Sequence, residues 1–280
     1  MCKYYDITSS NNAYLFLLDT LGMQPSALIM EYLVECGGDV DLFLERNEYR
    51  LDDMNLHDVR FVAFHVTASL DDCQEIQANG IRDLQYTLSQ ETMLSRLLEQ
   101  SGMFFDVHNS LLNVDGRKYD INYEHYRTRT SLSTIEDCLS SIAHRVYYDF
   151  CVNGFWVNDN IQRYGTHIHE RPEFISKLIT ISPKARRLDD FWRTRSKPYK
   201  VFFFATLEQI HKFTFDLEKN DEPYNDEEQK KVKQWMLRMA INQAFDPGGE
   251  HYIYVRDHQF IPPEQIIKCE IIEMGNNVCQ

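Results

Sequence analysis

Three short stretches of this 280-residue chain carry side chains whose types and spacing suit ligand chemistry. His65 and Thr67 stand two apart at the end of the apolar run "VRFVAFHVT", where strand alternation would put both on one face. Phe202-Phe203-Phe204 lead into Ala205-Thr206, and Phe213 and Phe215 follow. Glu250 comes directly after Gly248-Gly249 and opens "EHYIYV". Together they offer hydrogen bonds, ring stacking and one fixed negative charge. Each also has a plainer explanation: strand histidines are usually satisfied structural residues, and three successive phenylalanines are usually a buried strand.

Two other chemistries fit less well. His167 and His169 in "YGTHIHERPEF" would share a strand face, but Glu170 would point away from them and no further ligand stands at a recognisable spacing, so no metal site is expected. No G-x-S-x-G elbow or P-loop marks a nucleophile or a phosphate cradle.

The elements that must position these residues are partly visible. Leu15, Leu18 and Leu21, "SALIMEYLVE" and "DVDLFLERN" predict an acidic helical segment over residues 1–58, turning at Cys36-Gly37-Gly38. A strand from 59 should give way to a helix with Ser69 and Asp72 as a capping box and Gly80 as its left-handed end. Residues 85–176 resemble an insertion with one clear helix from Ser133, capped through Glu136. Strands are expected at 177–181 and 200–206, the second leading into a helix capped by Thr206 with Gln209. A helix over about 226–245 and strands from Glu250 and over "IIKCEII" complete an α+β pattern.

Seven scattered cysteines without a C-x-x-C pair argue for reduced thiols. No secretion signal or membrane-length apolar run is evident, so a cytoplasmic protein is expected. The net charge of −14 is unevenly spread. In residues 1–58, Lys3, Arg46 and Arg50 oppose eleven Asp and Glu, a net of −8. In 177–200, eight Lys and Arg oppose Asp189 and Asp190, a net of +6, read as a basic loop able to meet phosphates. The tyrosines of 119–164 could add stacking surfaces to such a groove.

In order and context the three stretches resemble the ADP-ribosyltransferase superfamily, in its histidine-type, toxin-like form. His65-Val66-Thr67 with "SLDDCQEIQANGI" is similar to the family's first strand and helix, "VFFFATLEQIHKF" to its aromatic second motif, and "GGEHYIYVRDHQFIPPEQIIKCEII" to its third. The resemblance covers 59–84 and 177–273. It implies a split β-sheet core over 59–280 with an α-rich insertion at about 85–176, and NAD as ADP-ribose donor.

By that resemblance Glu250 is the catalytic carboxylate, steadying the oxocarbenium-like transition state formed as nicotinamide leaves. His65 and Thr67 would hold the adenosine-side ribose and the Val66 backbone the nicotinamide carboxamide. Phe203 or Phe204, with Phe213 or Phe215, would clamp the nicotinamide ring. Lys184, Arg186, Arg187, Arg193 and Arg195 would meet the acceptor, with RNA or DNA favoured over protein. Transfer to protein, NAD glycohydrolysis and an inert interaction module are the alternatives. A stand-alone transferase of this type resembles the toxin of a toxin–antitoxin or phage-defence system, whose acidic N-terminal segment would bind an antitoxin or chaperone.

Overall fold

The computed structural model describes residues 3–148, 152–165 and 167–273, which form a mixed α+β fold. The first elements are β1 (Lys3–Asp6), α1 (Ser10–Leu21), α2 (Pro25–Ile29), continued by a π-helical turn Met30–Glu35, α3 (Val40–Asn47) and the long strand β2 (Val59–Ser69). Then come α4 (Gln74–Asn79), α5 (Leu84–Ser89), α6 (Met93–Gln100), β3 (Met103–Asp106), β4 (Leu111–Val114), β5 (Arg117–Asp120), α7 (Glu124–Arg127), α8 (Thr134–Tyr147) and β6 (Asn153–Asn158). The chain continues through α9 (Ile175–Ile181), α10 (Pro183–Arg195), β7 (Lys197–Ala205), α11 (Asp226–Phe245), β8 (Glu250–Tyr254) and β9 (Ile266–Ile271). No single helix among the described residues is long and apolar enough to cross a membrane.

Strand pairing runs β8–β6–β2–β7–β9, with β1 added parallel to β2, and β3–β4–β5 form a separate antiparallel sheet. The fold divides into two compact units. The first holds residues up to His65, Asn153–Asp159 and Phe202–Arg256; the second holds Val66–Val152, Asn160–Val201 and the residues from Asp257 on. Both β2 and β7 therefore begin in one unit and end in the other.

Aromatic rings fill the core of the first unit. Tyr5 meets Phe16, Phe61 and Trp156 edge-on, and Trp156 and Phe215 pack against Trp235 of α11. The Tyr5 hydroxyl donates to the Met236 carbonyl, so this buried ring keeps its polar end satisfied. Short polar signals set the helix ends: Ser9 accepts from the Asn12 N–H to start α1, left-handed Gly22 closes it, and Asn225 with Glu228 forms a capping box on α11. The N-terminal helices belong to this unit, and β1 was not foreseen.

The second unit has its own core, in which Leu94, Leu98, Met103, Ile142, Ile175 and Trp192 are buried together. The expected helix from Ser133 is α8, with its Ser133–Glu136 capping box in place. Residues 85–176 also supply the three-stranded sheet and β6, so they are less purely helical than expected.

Several local expectations are corrected. Residues 177–181 lie in α9, because Ile175 and Leu178, three apart, are buried together as one helix face; a short apolar run does not by itself distinguish strand from helix. The basic stretch is not a loop but mostly α10, started by Ser182 and Pro183. Ser69 and Asp72 form no capping box. Asp72 and Cys73 take positive φ values of 55° and 63°, Ser69 Oγ accepts from the Cys73 N–H, and α4 starts only at Gln74. Gly80 is not in the left-handed helical region, since its φ of 78° goes with a ψ of −175°. A Cβ there would stand 2.1 Å from the Ile261 carbonyl oxygen, which requires glycine twice over. The Thr206–Gln209 capping box forms, but the helix it opens is only the 3-10 turn Leu207–Gln209.

Candidate functional site

The strand that joins the predicted residues is β6, which lay unassigned in the sequence. It sits between β2 and β8, so β7, expected to supply the second motif, flanks β2 on the side away from Glu250. The two ends of β6 hold the two principal candidates. The carbonyl oxygen of Asn153 can only accept, so the His65 Nδ1 that lies 2.8 Å from it carries the proton and leaves Nε2 as acceptor. At the other end, Asn158 Nδ2 donates to Glu250 Oε1 at 2.9 Å.

The register also sets which face each side chain takes. Phe64 pairs with Phe155, and Phe155 with Tyr252, and their rings touch across the three strands at centroid distances of 5.7 Å and 5.1 Å. Phe202 joins beside Phe64, Tyr254 beside Tyr252, and Phe213 beside Tyr254 at 4.9 Å. This is an aromatic ladder whose Tyr252, Tyr254 and Phe213 are half-buried. Alternation along β8 puts Glu250 on the face of Tyr252 and Tyr254. His65, next to Phe64, takes the opposite face with Thr67. The structure thus ties both residues to one strand without bringing them to one face.

The predicted clamp is revised by burial. Phe203 and Phe215 are 0% and 2% exposed and belong to the core, so neither can sandwich a ligand ring. Phe203 packs so closely on β6 that a Cβ at Gly154 would meet its ring at 2.9 Å. Phe204 is engaged by Arg60, whose guanidinium lies 4.5 Å from the ring centroid. Only Phe213 stands in the ladder. Phe213 stacks on His211 at 4.8 Å and packs on Tyr254, which with Tyr252 was absent from the expected set; the alternation of the two tyrosines behind Glu250 was the signal available in the sequence. Val66 is buried and Thr67 half-buried, both continuing β2 into the second unit.

The start of β8 is anchored by a carboxylate the sequence did not single out. Asp159 Oδ2 accepts from the Gly249 N–H at 2.8 Å and fixes the glycine turn immediately before Glu250. Gly249 has a φ of 91°, which favours glycine at this bend. Glu250 itself is exposed. Burial lowers the pKa of the half-buried His251 ring against the opposing pull of Asp216 and Asp159. Burial likewise lowers that of His65, while the Asn153 carbonyl pulls the other way.

The predicted acceptor contacts lie on α10 in the second unit. Lys184 pairs with Asp115, and Arg193 with Glu170 and Asp189. Arg186, Arg187 and Arg195 are exposed, with no ion pair among the described residues. Four of the tyrosines expected to stack on bases serve packing: Tyr126 is buried with its hydroxyl on the Asp120 carbonyl, and Tyr119, Tyr123 and Tyr147 pack on the core of the second unit, whereas Tyr148 is exposed.

The histidine pair is also rearranged. His167 has a φ of 54°, and the Glu170 N–H donates to the His167 carbonyl at 2.9 Å, so 167–170 is a turn and not a strand. Contrary to the expectation that Glu170 points away, His167, His169 and Glu170 each present a ligand atom within 4.8 Å of the others.

No protein-family model, curated protein or solved structure matches this chain.

Proposed function

We propose that this protein transfers ADP-ribose from NAD to a macromolecular acceptor, with Glu250 as the catalytic carboxylate. The observation that carries this reading is an exposed glutamate, held by Asn158 at the start of β8, beside the half-buried rings of Tyr252, Tyr254 and Phe213. Such rings suit a planar heteroaromatic such as nicotinamide. A carboxylate fixed beside them suits the positive charge that builds on the ribose carbon as the glycosidic bond to nicotinamide breaks. With Oε1 taken by Asn158, Oε2 is the oxygen available for a ribose hydroxyl.

In this reading His65 works through β6, as a positioning residue that locks β2 against the strand carrying Asn158, and Thr67 shares its face. The acceptor is a nucleic acid, RNA or DNA, met by Arg186, Arg187 and Arg195 with Lys184 and Arg193 as partly neutralised neighbours; such contacts weaken as salt rises. A cytoplasmic toxin acting under the control of an antitoxin that binds the acidic N-terminal helices is the corresponding biological setting.

The test is incubation with NAD labelled in its adenylate moiety, in parallel with RNA, DNA and lysate protein. Labelled nucleic acid, lost with Glu250→Gln, supports the proposal. Labelled protein alone moves the acceptor to protein, and free ADP-ribose alone makes the activity glycohydrolysis. NAD left intact by the wild-type chain overturns the reading and leaves an interaction module.

A further inference from the structure

We propose that His167, His169 and Glu170 form a binding site for a divalent transition-metal ion, Zn²⁺ foremost, separate from the proposed NAD chemistry. Glu170 Oε1 stands 3.4 Å from His167 Nδ1 and 3.8 Å from His169 Nε2. A tetrahedral ion with ligand bonds of about 2.0–2.1 Å needs donor atoms roughly 3.4 Å apart. Both Glu170–histidine separations lie close to that spacing, and the two histidine nitrogens, within 4.8 Å of each other, would draw together around the ion.

The surroundings hold the ligands in place. Arg193 engages the other carboxylate oxygen of Glu170, and the Glu170 carbonyl accepts from Ser196 Oγ at 3.1 Å, tying the turn to the end of α10. An outer partner of this kind fixes the direction of a ligating carboxylate. His169 is only 3% exposed, and its Nδ1 has no hydrogen-bond partner among the described residues. A buried imidazole that leaves a nitrogen unsatisfied incurs a desolvation cost that ordinary structural histidines avoid. Its other nitrogen, Nε2, faces Glu170 and is the atom a metal ion would bond.

Charge permits the ion. Arg171 and Arg193 are balanced by Asp189 and Glu170, so a cation meets no net positive field from this cluster. The donor set selects the class: two imidazole nitrogens and one carboxylate oxygen suit Zn²⁺, Co²⁺ or Ni²⁺, whereas Mg²⁺ and Ca²⁺ prefer all-oxygen shells. Three protein ligands leave a coordination position for water.

The full chain, stripped with a chelator, should take up one equivalent of Zn²⁺ in competition with a chromogenic chelator, and Co²⁺ should give the visible absorption of a low-coordinate nitrogen and oxygen site. His167→Ala, at a half-exposed ring, should weaken Zn²⁺ binding at least tenfold while the metal-free Tm stays unchanged; Glu170→Gln should weaken Zn²⁺ binding similarly. A tenfold excess of Mg²⁺ should not compete. No Zn²⁺ uptake by the wild-type chain, or uptake that His167→Ala leaves intact, overturns the site. Since His167 is on the surface, its variant separates loss of binding from loss of folding.

Discussion

The seam along β6 and the turn at 167–171 are both polar clusters, and they are built in opposite ways. Along β6 the partners come from distant parts of the chain, His65 with Asn153 and Asn158 with Glu250, and each contact is a well-formed hydrogen bond near the surface. In the turn, His167, His169, Glu170 and Arg171 are sequence neighbours and Asp189 and Arg193 share α10, and of these His169, Arg171 and Asp189 are buried. Arg171 Nε and Asp189 Oδ1 form an ion pair with side chains only 9% and 8% exposed, while Arg171 Nη1 has no hydrogen-bond partner among the described residues. The seam is a device for placing an exposed carboxylate, and the turn is a device whose stability depends on charge balance.

Asp189 separates the two regions most sharply. Removing it by Asp189→Ala strands a buried guanidinium and should cost about 3–5 kcal/mol in urea unfolding, whereas replacing both partners with apolar residues should recover most of that loss. A small effect of the single change would place the turn in the same weakly coupled class as surface ion pairs. On the seam the expectation is reversed. Glu250→Gln should leave Tm within a degree or two yet lower the rate of nicotinamide release by about 100-fold or more, since the lost charge acts only on the transition state.

Asn158→Ala should fall between these, lowering kcat by roughly tenfold with little change in KM, because it orients the carboxylate and does not itself bear charge. A raised KM with kcat unchanged would point to a direct ligand contact instead.

The smallest expected effect spans both regions. Burial lowers the pKa values of His65 and His251 on the seam side and of His169 in the turn. In the unfolded chain these rings take up a proton near pH 6.5, and in the folded chain only at lower pH. Their contribution is therefore full above about pH 6.5 and is lost as pH falls toward the folded values. Tm should drop between pH 8 and pH 5, and His65→Gln should narrow that drop. A Tm that rises into acid would contradict the sign.

Much of the local architecture was legible because local chemistry sets it. The Ser133–Glu136 and Thr206–Gln209 caps, the Gly248-Gly249 bend and the strand at Glu250 are decided within a few residues of sequence. Where the local signal was ambiguous it misled. "KLITI" suits a strand by β-branching and a helix by spacing, and its fit against the core of the second unit decided for the helix.

The candidate site divides along the same line. Sequence alone marked Glu250 as an acid opening a strand after a glycine turn, and marked His65 with Thr67 as sharing a face, because both follow from chain geometry over a handful of residues. Which strand lies between them, that Asn158 and Asp159 anchor the start of β8, that Phe203 and Phe215 are core, and that Glu170 turns back onto two histidines were decided only in the tertiary structure. Strand order, face and burial depend on contacts between residues tens to hundreds of positions apart, and no local preference encodes them.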